Sequence, residues 1–567
     1  MSQDRCGRCG VGKSKHQSFD KLQGRSKGVA LEEESSYRWV LASVVLLLGP
    51  AGTVWAEPVG GSEREAVRAR LAQGVLRWGG DAEGGAPYQL RDPQDPARVI
   101  GFEVELADAL AQTVSRQWDL PLRAEFVQYE WVSLAAGLDK GDFDVILSGY
   151  EITPERAHTF RFTRPYYVYR QHLTVRQDDE RIRSLADCLD KPVGTLAGSA
   201  AEELLQKAGV RDIVAFDGQV EPYLELVLGR VDAVLLDGPI ATYYGRQRGL
   251  KTVDRKIGKG FYGIALRNDD VVLAAALDRA LSHLMIEGTL RRIYRRWHIW
   301  NEDQAELAHG PKDREELAGL GFDATGKPAT ADEPPPDDAV DIDILAASAR
   351  EWTFDHYGPL LLQAAGMTVF LTVTSMALAM ALGLVIAMLR LYAPPPVNWL
   401  ALAYVEFFRG VPLLLILFFL YFGLSSYGIG MPALVTAIVG FGLNYAAYEA
   451  EIYRSSILAV PEGQWEAGRA LGMSDTTIFR RIVLPQALRT ALAPMTNDFV
   501  ALFKDTSLVS VIAVRELTKE YLILARSSLK FVELGILTAL LYLIMSVPLG
   551  YLSRYLERRW SPERQGS

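Results

Sequence analysis

The sequence predicts an α/β domain followed by an all-α, polytopic membrane domain, and three observations indicate this division. Short apolar runs alternate with helical patterns from about Leu76 to Trp300, as in α/β folds. From about Tyr357 the chain is strongly apolar, with charge-free runs such as Gly410 to Leu424 of the kind found in membrane spans. Residues 301–352, between these halves, are acidic and rich in proline.

The first 56 residues are expected to lie outside both domains. Residues 1–38 form a polar extension without a core pattern, and residues 39–56 have the layout of a signal peptide or an uncleaved anchor. Both versions place the following domain outside the cytoplasm.

Two short motifs in the polar extension are interpreted as chance matches. Gly7 to Ser14 fits the phosphate-loop pattern, but no apolar strand precedes it and no apolar period follows it. Cys6 and Cys9 form a C-x-x-C with no second pair nearby to complete a metal site. We therefore expect neither a metal nor a cofactor in this chain.

Polar residues follow the predicted strands of the first domain, where ligands of α/β sheets bind. The candidates are Asp81, Ser148, Glu151, Thr153, Arg156, Ser199, Ala200 and Asp237. A guanidinium, a carboxylate and free helix N–H groups together suit a zwitterionic amino acid. The spacing alone leaves open that Arg156 and Asp237 are surface or inter-lobe ion-pair residues.

A resemblance to a known family bears on this choice. The segments GFEVELADALA, GDFDVILSGYEITPERAHTFRFTRPYY, KPVGTLAGSAAEELL, GRVDAVLLDGP and IEGTLRRIYRRW occur in the order typical of periplasmic binding proteins for polar amino acids. The resemblance implies a two-lobed binding domain over residues 70–300. It implies that Arg156 binds the α-carboxylate and Asp237 the α-ammonium, while Asp81, Ser148, Thr153, Ser199 and Ala200 line the cleft.

Two positions depart from that family's pattern. Glu83, Gly84 and Gly85 stand where the family commonly has an aromatic residue, and Glu151 stands where it favours Ser or Thr. A carboxylate at position 151 would suit a ligand with a cationic side chain, but it could also face solvent or pair with an arginine. The sequence does not name the amino acid.

The acidic stretch over 301–352 is interpreted as a tether between the two domains, stiffened by Pro334, Pro335 and Pro336. The alternative is a small helical subdomain from Glu306 to Leu320.

Five membrane spans are predicted within residues 353–560. They run from about Leu360 to Leu389, Trp399 to Leu424, Pro432 to Tyr453, Pro485 to Phe503 and Val532 to Leu552. An odd number of spans leaves the C-terminus inside, where Arg554, Arg558 and Arg559 satisfy the positive-inside rule. Tyr448 and Glu449 are candidates for the translocation pathway, since a charge in an apolar span is costly unless it faces a cavity or a partner.

The loop between the third and fourth spans, residues 455–484, resembles the coupling loop of importer-type ABC permeases. Glu466, Ala467, Gly472, Ile482 and Pro485 fall on the pattern, and Gly468 stands where the family has alanine. The resemblance implies a cytoplasmic ABC ATPase dimer that binds ATP and Mg²⁺, and a permease homodimer.

The expected protein is therefore a multi-pass subunit of a bacterial inner-membrane importer, with its binding domain in the periplasm. It combines amino-acid binding with a permease, and it is neither an enzyme nor a nucleic-acid-binding protein. The alternative is a ligand-gated channel or receptor, although channels of the glutamate-receptor type insert their pore within the binding fold, and here the fold ends before the first span.

Overall fold

A computed structural model of the chain describes residues 61–560, apart from 84, 247–248, 309–312, 330–335, 337, 343–351, 428 and 513. The polar extension, the signal or anchor segment, the phosphate-loop match and the C-x-x-C lie outside the described residues.

The first domain alternates strands and helices, as the apolar pattern predicts. Its strands are β1 (Val75–Gly80), β2 (Leu90–Arg91), β3 (Val99–Ile100), β4 (Arg123–Gln128), β5 (Val145–Ile146), β6 (Arg161–Phe162), β7 (Tyr167–Arg176), β8 (Pro192–Leu196), β9 (Asp212–Phe216), β10 (Ala233–Asp237), β11 (Leu250–Tyr262) and β12 (Ala265–Leu266). Its helices are α1 (Gly61–Arg70), α2 (Phe102–Trp118), α3 (Leu134–Lys140), α4 (Pro154–Thr159), α5 (Ala200–Ala208), α6 (Glu221–Val227), α7 (Gly238–Tyr244), α8 (Val271–Ile286), α9 (Thr289–Arg296) and α10 (Asp313–Leu320).

Two five-stranded sheets form two lobes. The first lobe has the strand order β4-β1-β5-β12-β6 and the second has β11-β7-β10-β8-β9. In each sheet three neighbouring strands are parallel, the fourth strand (β12 in the first lobe, β7 in the second) runs antiparallel to them, and the edge strand (β6 or β11) is antiparallel to the fourth. The predicted parallel sheet is therefore mixed, because each sheet also contains strands that carry the chain from one lobe to the other.

The two crossings between the lobes lie side by side. Thr163 N–H donates to the Ile264 carbonyl and Tyr166 N–H donates to the Tyr262 carbonyl, both at 2.9 Å. These bonds make a paired two-segment connection, which is the geometry of a hinge that lets two rigid lobes rotate about one line.

The segment predicted as a tether is partly folded. A 3₁₀ turn (Glu302–Leu307) and α10 pack on the first domain, where Leu307, Leu317, Leu320 and Phe322 are buried. The Glu316 carboxylate accepts two hydrogen bonds from the Arg164 guanidinium, at 2.6 and 3.1 Å. The helix falls within the range of the helical alternative, but it packs on the first domain and forms no core of its own, because its apolar residues are few.

The second half is helical throughout its described residues. Its helices are α11 (Phe354–Tyr392), α12 (Pro395–Gly410), α13 (Leu413–Phe418), α14 (Ala433–Leu458), α15 (Glu462–Ala470), α16 (Asp475–Ile478), α17 (Leu484–Asp505), α18 (Leu517–Ser528) and α19 (Phe531–Trp560). Wider π-helical turns follow α13 (Phe419–Gly423) and α16 (Phe479–Val483).

Among the described residues, α11 and residues 531–552 of α19 are each long and apolar enough to cross a membrane. The predicted second span, from Trp399 to Leu424, is not one straight helix: α12 and the helix Leu413–Gly423 meet at an angle of 106°. The break falls at Val411-Pro412, because proline lacks the N–H that would continue the helix and disfavours helical backbone before it. The count of five spans remains a prediction.

The core of the membrane domain is the contact between α11 and α14, which is close because glycines face it. A Cβ atom at Gly383 would lie 2.6 Å from Cβ of Glu449, and one at Gly442 would lie 2.5 Å from Cδ2 of Leu378. Small residues at helix contacts allow the backbones to approach in lipid-embedded bundles.

Candidate functional site

The predicted binding residues converge on one cleft between the two lobes. Asp81 follows β1 and Ser148 follows the neighbouring parallel strand β5, so the two meet: Asp81 N–H lies 3.4 Å from Ser148 Oγ. In the second lobe, Asp237 ends β10 and Ser199 follows the neighbouring parallel strand β8. The strand ends of each lobe therefore bring these residues together, and their role in ligand binding stays a prediction.

Asp81 is held by several donors from the first lobe. Its carboxylate accepts hydrogen bonds from the Glu83 N–H at 2.9 Å, the Gln128 side chain at 3.0 Å and the Trp131 N–H at 3.0 Å. Burial, and next the Glu83 carboxylate, raise the pKa of Asp81 to about 7. The side chain is thus fixed in position and sensitive to the charges around it.

Arg156 reaches across the cleft from the first lobe. Thr153 caps α4 by accepting the Arg156 N–H at 3.2 Å, which fixes the start of the helix that carries the arginine. The guanidinium donates from Nη2 to the Gly198 carbonyl of the second lobe at 3.1 Å, and it lies 4.3 Å from the centre of the Tyr150 ring. Its position is set by both lobes.

Glu151 pairs with this arginine. Its carboxylate forms a short ion pair with Arg156 Nη1, and its other oxygen accepts the Ala200 N–H at 3.2 Å. Ala200 is the first residue of α5, where free N–H groups and the helix dipole favour an anion. Of the three options that the sequence left open for Glu151, the structure therefore has the arginine pair.

Asp237 lies in the second lobe and is buried. Its carboxylate accepts a hydrogen bond from the Gln171 side chain at 2.6 Å and a short one from the Tyr262 hydroxyl. Burial, and next the Glu151 carboxylate, raise the pKa of Asp237 to about 7. A ligand ammonium group would favour the ionised form of this carboxyl.

Thr153 and Ser199, the two hydroxyl residues among the predicted site residues, are N-caps of helices. Thr153 caps α4, and Ser199 caps α5 by accepting the Glu202 N–H at 3.4 Å while its hydroxyl donates to the Leu196 carbonyl at 2.7 Å. Both residues shape the cleft by fixing helix N-termini.

Sequence reasoning missed the polar layer beneath the cleft. The Gln89 amide is hydrogen-bonded to Ser148 Oγ at 2.7 Å, and the hydroxyls of Tyr88 and Tyr262 meet at 2.8 Å. The buried Glu103 carboxylate accepts from Gly149 N–H at 2.7 Å and from the Tyr166 hydroxyl at 2.5 Å, and burial raises its pKa to about 8. In the sequence, Glu103 stands at a position of α2 where the helical pattern has apolar residues, and this departure is the signal that could have identified it.

Sequence reasoning also missed a second polar cluster, here called the docking interface and defined by Glu83, Glu130, Glu221, Lys519 and Arg526. Lys519, on α18, forms a short ion pair with Glu83 and a second pair with Glu130 at 2.8 Å. Arg526, two turns further along α18, pairs with Glu83 at 2.7 Å and with Glu221 at 2.8 Å. Glu83 and Glu130 belong to the first lobe and Glu221 to the second, so α18 bridges both lobes.

The docking interface has a buried centre, while Glu130, Glu221 and Arg526 around it are partly exposed. The side chains of Lys519 and Glu83 are both 0% exposed. Burial lowers the pKa of Lys519, but the Glu83 and Glu130 carboxylates outweigh it and raise the pKa above its usual value. Glu83 lies two residues from Asp81, so these cations reach the edge of the ligand site.

A second contact joins the domains close to the end of the predicted second span. The Tyr421 hydroxyl donates to the Asp142 carboxylate at 3.0 Å and forms a short hydrogen bond with the Tyr129 hydroxyl. Lys140 Nζ lies 3.3 Å above the Tyr421 ring. Its residues on the binding domain, Tyr129, Lys140 and Asp142, all belong to the first lobe.

The loop predicted to bind an ATPase forms a helix pair with an exposed end. Glu466 and Ala467 are exposed on α15, which ends in a turn where Gly472 has φ +74°. Gly468 is buried against α16, since a Cβ there would lie 2.7 Å from Cγ1 of Ile478. The close approach of Ile478 therefore explains why this position holds glycine where the family has alanine.

Leu471, between the two helices, is 80% exposed. Ile482 packs against the apolar cluster that contains Val483, while Pro485 is exposed in the first turn of α17.

The two candidate pathway residues differ in exposure. Tyr448 is 36% exposed, and the Arg409 guanidinium lies 5.4 Å from its ring centre. Glu449 is 0% exposed, and neither carboxylate oxygen has a hydrogen-bond partner among the described residues. Their role in translocation remains a prediction.

Comparisons with known proteins match each half of the chain separately. Residues 76–299 match the family described as bacterial extracellular solute-binding proteins, family 3, and residues 379–562 match that described as binding-protein-dependent transport system inner membrane component.

Similar relatives of the second half come from Bacillus subtilis (strain 168). The probable amino-acid ABC transporter permease protein YckA is 38% identical over 203 residues, which are 36% of this chain and 90% of that protein. The L-cystine transport system permease protein TcyB is 37% identical over 219 residues, which are 38% of this chain and 94% of that protein.

Among solved structures, the chain is similar to an ancestral amino acid-binding protein described as a precursor of cyclohexadienyl dehydratase. The identity is 30%, the TM-score is 0.37, and the match covers 41% of this chain and 99% of the other.

Proposed function

The chain belongs to the amino-acid ABC transporter permeases and carries a solute-binding domain fused ahead of its permease domain, and on this basis we propose how it works. It imports a polar amino acid across the bacterial inner membrane. The cleft captures the amino acid in the periplasm, the helices form the pathway, and a separate ABC ATPase that binds ATP and Mg²⁺ supplies the energy.

One observation carries this proposal: the binding domain and the exposed loop lie at opposite ends of α14. The segment before α14 contacts the binding domain, since a Cβ at Gly430 would lie 3.5 Å from Cγ of Lys140. The exposed Leu471 follows the other end of α14. A helix of 26 residues is about 39 Å long, which is enough to span the hydrocarbon core. This geometry supports capture on one side and ATPase contact on the other.

The docking interface supports a coupling between lobe closure and the permease. Arg526 pairs with one carboxylate of each lobe, so a rotation of the lobes about the hinge would separate Arg526 from Glu83 or from Glu221. A buried ion pair that loses one partner is costly. The arrangement in which Arg156 of the first lobe bonds to the Gly198 carbonyl of the second is therefore the one that α18 favours.

The loop offers a compact surface to an ATPase. Glu466, Ala467 and Leu471 are exposed on one helix pair whose inner side is anchored by Ile478. An exposed leucine beside a carboxylate fits a groove with an apolar centre and a basic rim. We propose that two such loops, from a permease homodimer, each contact one subunit of an ATPase dimer.

The test is amino-acid-stimulated ATP hydrolysis by the full chain in lipid nanodiscs, combined with an ABC ATPase of the amino-acid importer class. We expect a polar amino acid to bind in calorimetry and to stimulate hydrolysis. Leu471→Glu should remove the stimulation and leave amino-acid binding unchanged.

The matched control is Tyr427→Ser, because Tyr427 is also 80% exposed but lies before α14, at the end that faces the binding domain. Stimulation that survives Leu471→Glu would contradict the assignment of the loop, and the absence of binding by every amino acid tested would contradict the assignment of the cleft.

A further inference from the structure

Glu151 lies at the place in the cleft that is built for an anion. Its two carboxylate oxygens take the Arg156 guanidinium and the Ala200 N–H at the start of α5. These are a charged donor and a helix N-terminal donor, the pair of groups that would hold the α-carboxylate of an amino acid. Glu151 is 2% exposed, so its carboxylate is satisfied by these partners and little by water.

The charges around this pair are unbalanced. Asp81, Glu151 and Asp237 contribute three carboxyl groups to the cleft, and Arg156 contributes a cation. The nearby cations of α18, Lys519 and Arg526, already pair with Glu83, Glu130 and Glu221. A carboxylate released from Arg156 would therefore meet further carboxyl groups within the cleft.

We propose that Glu151 makes the cleft selective for amino acids with a cationic side chain. The inference rests on the proposed amino-acid ligand. When the α-carboxylate of such a ligand takes Arg156 and the Ala200 N–H, Glu151 loses both partners. A cationic side chain supplies a new partner for it, whereas a neutral side chain leaves a buried carboxylate unpaired, which is strongly unfavourable.

The test compares ligands that differ in charge and little in shape. Binding of L-arginine and L-citrulline, and of L-lysine and Nε-acetyl-L-lysine, is measured by calorimetry on the full chain in nanodiscs. We expect the cationic member of at least one pair to bind tenfold or more tightly. In Glu151→Gln that ratio should fall at least tenfold, because the neutral amide no longer needs a cation.

The matched control is Glu155→Gln, which removes an exposed carboxylate from the first turn of α4 and should leave the ratio unchanged. Thermal unfolding checks that both variants are folded.

A wild-type chain without preference within either pair, or a folded Glu151→Gln variant that keeps the preference, would overturn the inference and leave amino-acid import intact. Failure of the wild-type chain and of Glu151→Gln to bind any amino acid would instead refute the proposed function.

Discussion

The ligand cleft and the docking interface are both made of buried charges, but their charge balance differs. In the cleft, three carboxyl groups face one guanidinium, and burial with neighbouring carboxylates raises the pKa of Asp81 and of Asp237 to about 7. In the docking interface, two cations bridge three carboxylates, and every group has a partner within 2.8 Å. The cleft is thus prepared to receive a positive group, whereas the interface is complete within the chain.

The largest effect is expected from breaking the docking interface. Lys519→Met leaves the buried Glu83 without one of its two cations, which should cost about 3 kcal/mol of docking free energy. We expect amino-acid-stimulated ATP hydrolysis in the assembled complex to fall at least 100-fold, while calorimetric amino-acid binding changes less than threefold.

Lys504→Met is the control for this prediction, since Lys504 is an exposed lysine at the end of α17. Full stimulation in Lys519→Met alone would show that the interface does not couple the two domains.

Next in size is the loss of the guanidinium from the cleft. Arg156→Met removes the charged donor that we assign to the ligand α-carboxylate and leaves Glu151 buried without its cation. Calorimetry should show amino-acid binding weakened at least 100-fold, while the thermal unfolding midpoint moves only a few degrees. If Arg156→Met kept its affinity for the amino acid, the ligand α-carboxylate would bind elsewhere, and the comparison of charges between the cleft and the docking interface would lose its basis.

A smaller effect is expected from pH. We propose that the ionised form of Asp237 holds a ligand ammonium group; its raised pKa of about 7 then means that a ligand must displace a proton at lower pH. Affinity should therefore rise with pH and level off above pH 7, being about tenfold weaker at pH 6 than at pH 8.

Asp237→Asn should weaken binding at pH 8 and flatten this dependence. An affinity of the wild-type chain that increases as the pH falls would have the opposite sign and would contradict the role of Asp237.

The smallest effect is expected from removing an uncharged hydroxyl from the contact between the domains, in place of a charged side chain. Tyr421→Phe removes a hydroxyl that bonds to Asp142 and Tyr129 but keeps the ring beneath Lys140. We expect a loss of about 1 kcal/mol, seen as a reduction of a few-fold in stimulated hydrolysis. If stimulated hydrolysis fell as far as in Lys519→Met, the ion pairs of α18 would contribute no more to coupling than the hydrogen bonds of one tyrosine hydroxyl.

The two regions also differ in how far sequence could predict them. Asp81, Ser148 and Asp237 follow apolar strands, and a local rule about strand ends is enough to bring them together. Glu83 and Lys519 are 436 positions apart in the chain, so no local pattern connects them. The segment that contains Lys519 and Arg526 carries charges of both signs, and the partners of these two cations on the binding domain are visible only in the folded chain.

Packing explains the other differences from the sequence prediction. Leu317, Leu320 and Phe322 are too few to predict a folded unit, yet they are buried where the first domain offers a surface. The apolar run from Gly410 to Leu424 gives no sign of its bend except Pro412, whose effect depends on where the next helix packs. The Glu151 pair with Arg156 was one of three options, since the spacing of five residues does not fix the direction of either side chain.

The most direct test of the account is uptake of a labelled amino acid into proteoliposomes that contain the full chain, with and without an ABC ATPase of the amino-acid importer class. The account predicts accumulation against a gradient only when the ATPase and ATP are both present, and none with Lys519→Met. Entry of the amino acid, or an ion current on its addition, in proteoliposomes that contain the chain alone would contradict it.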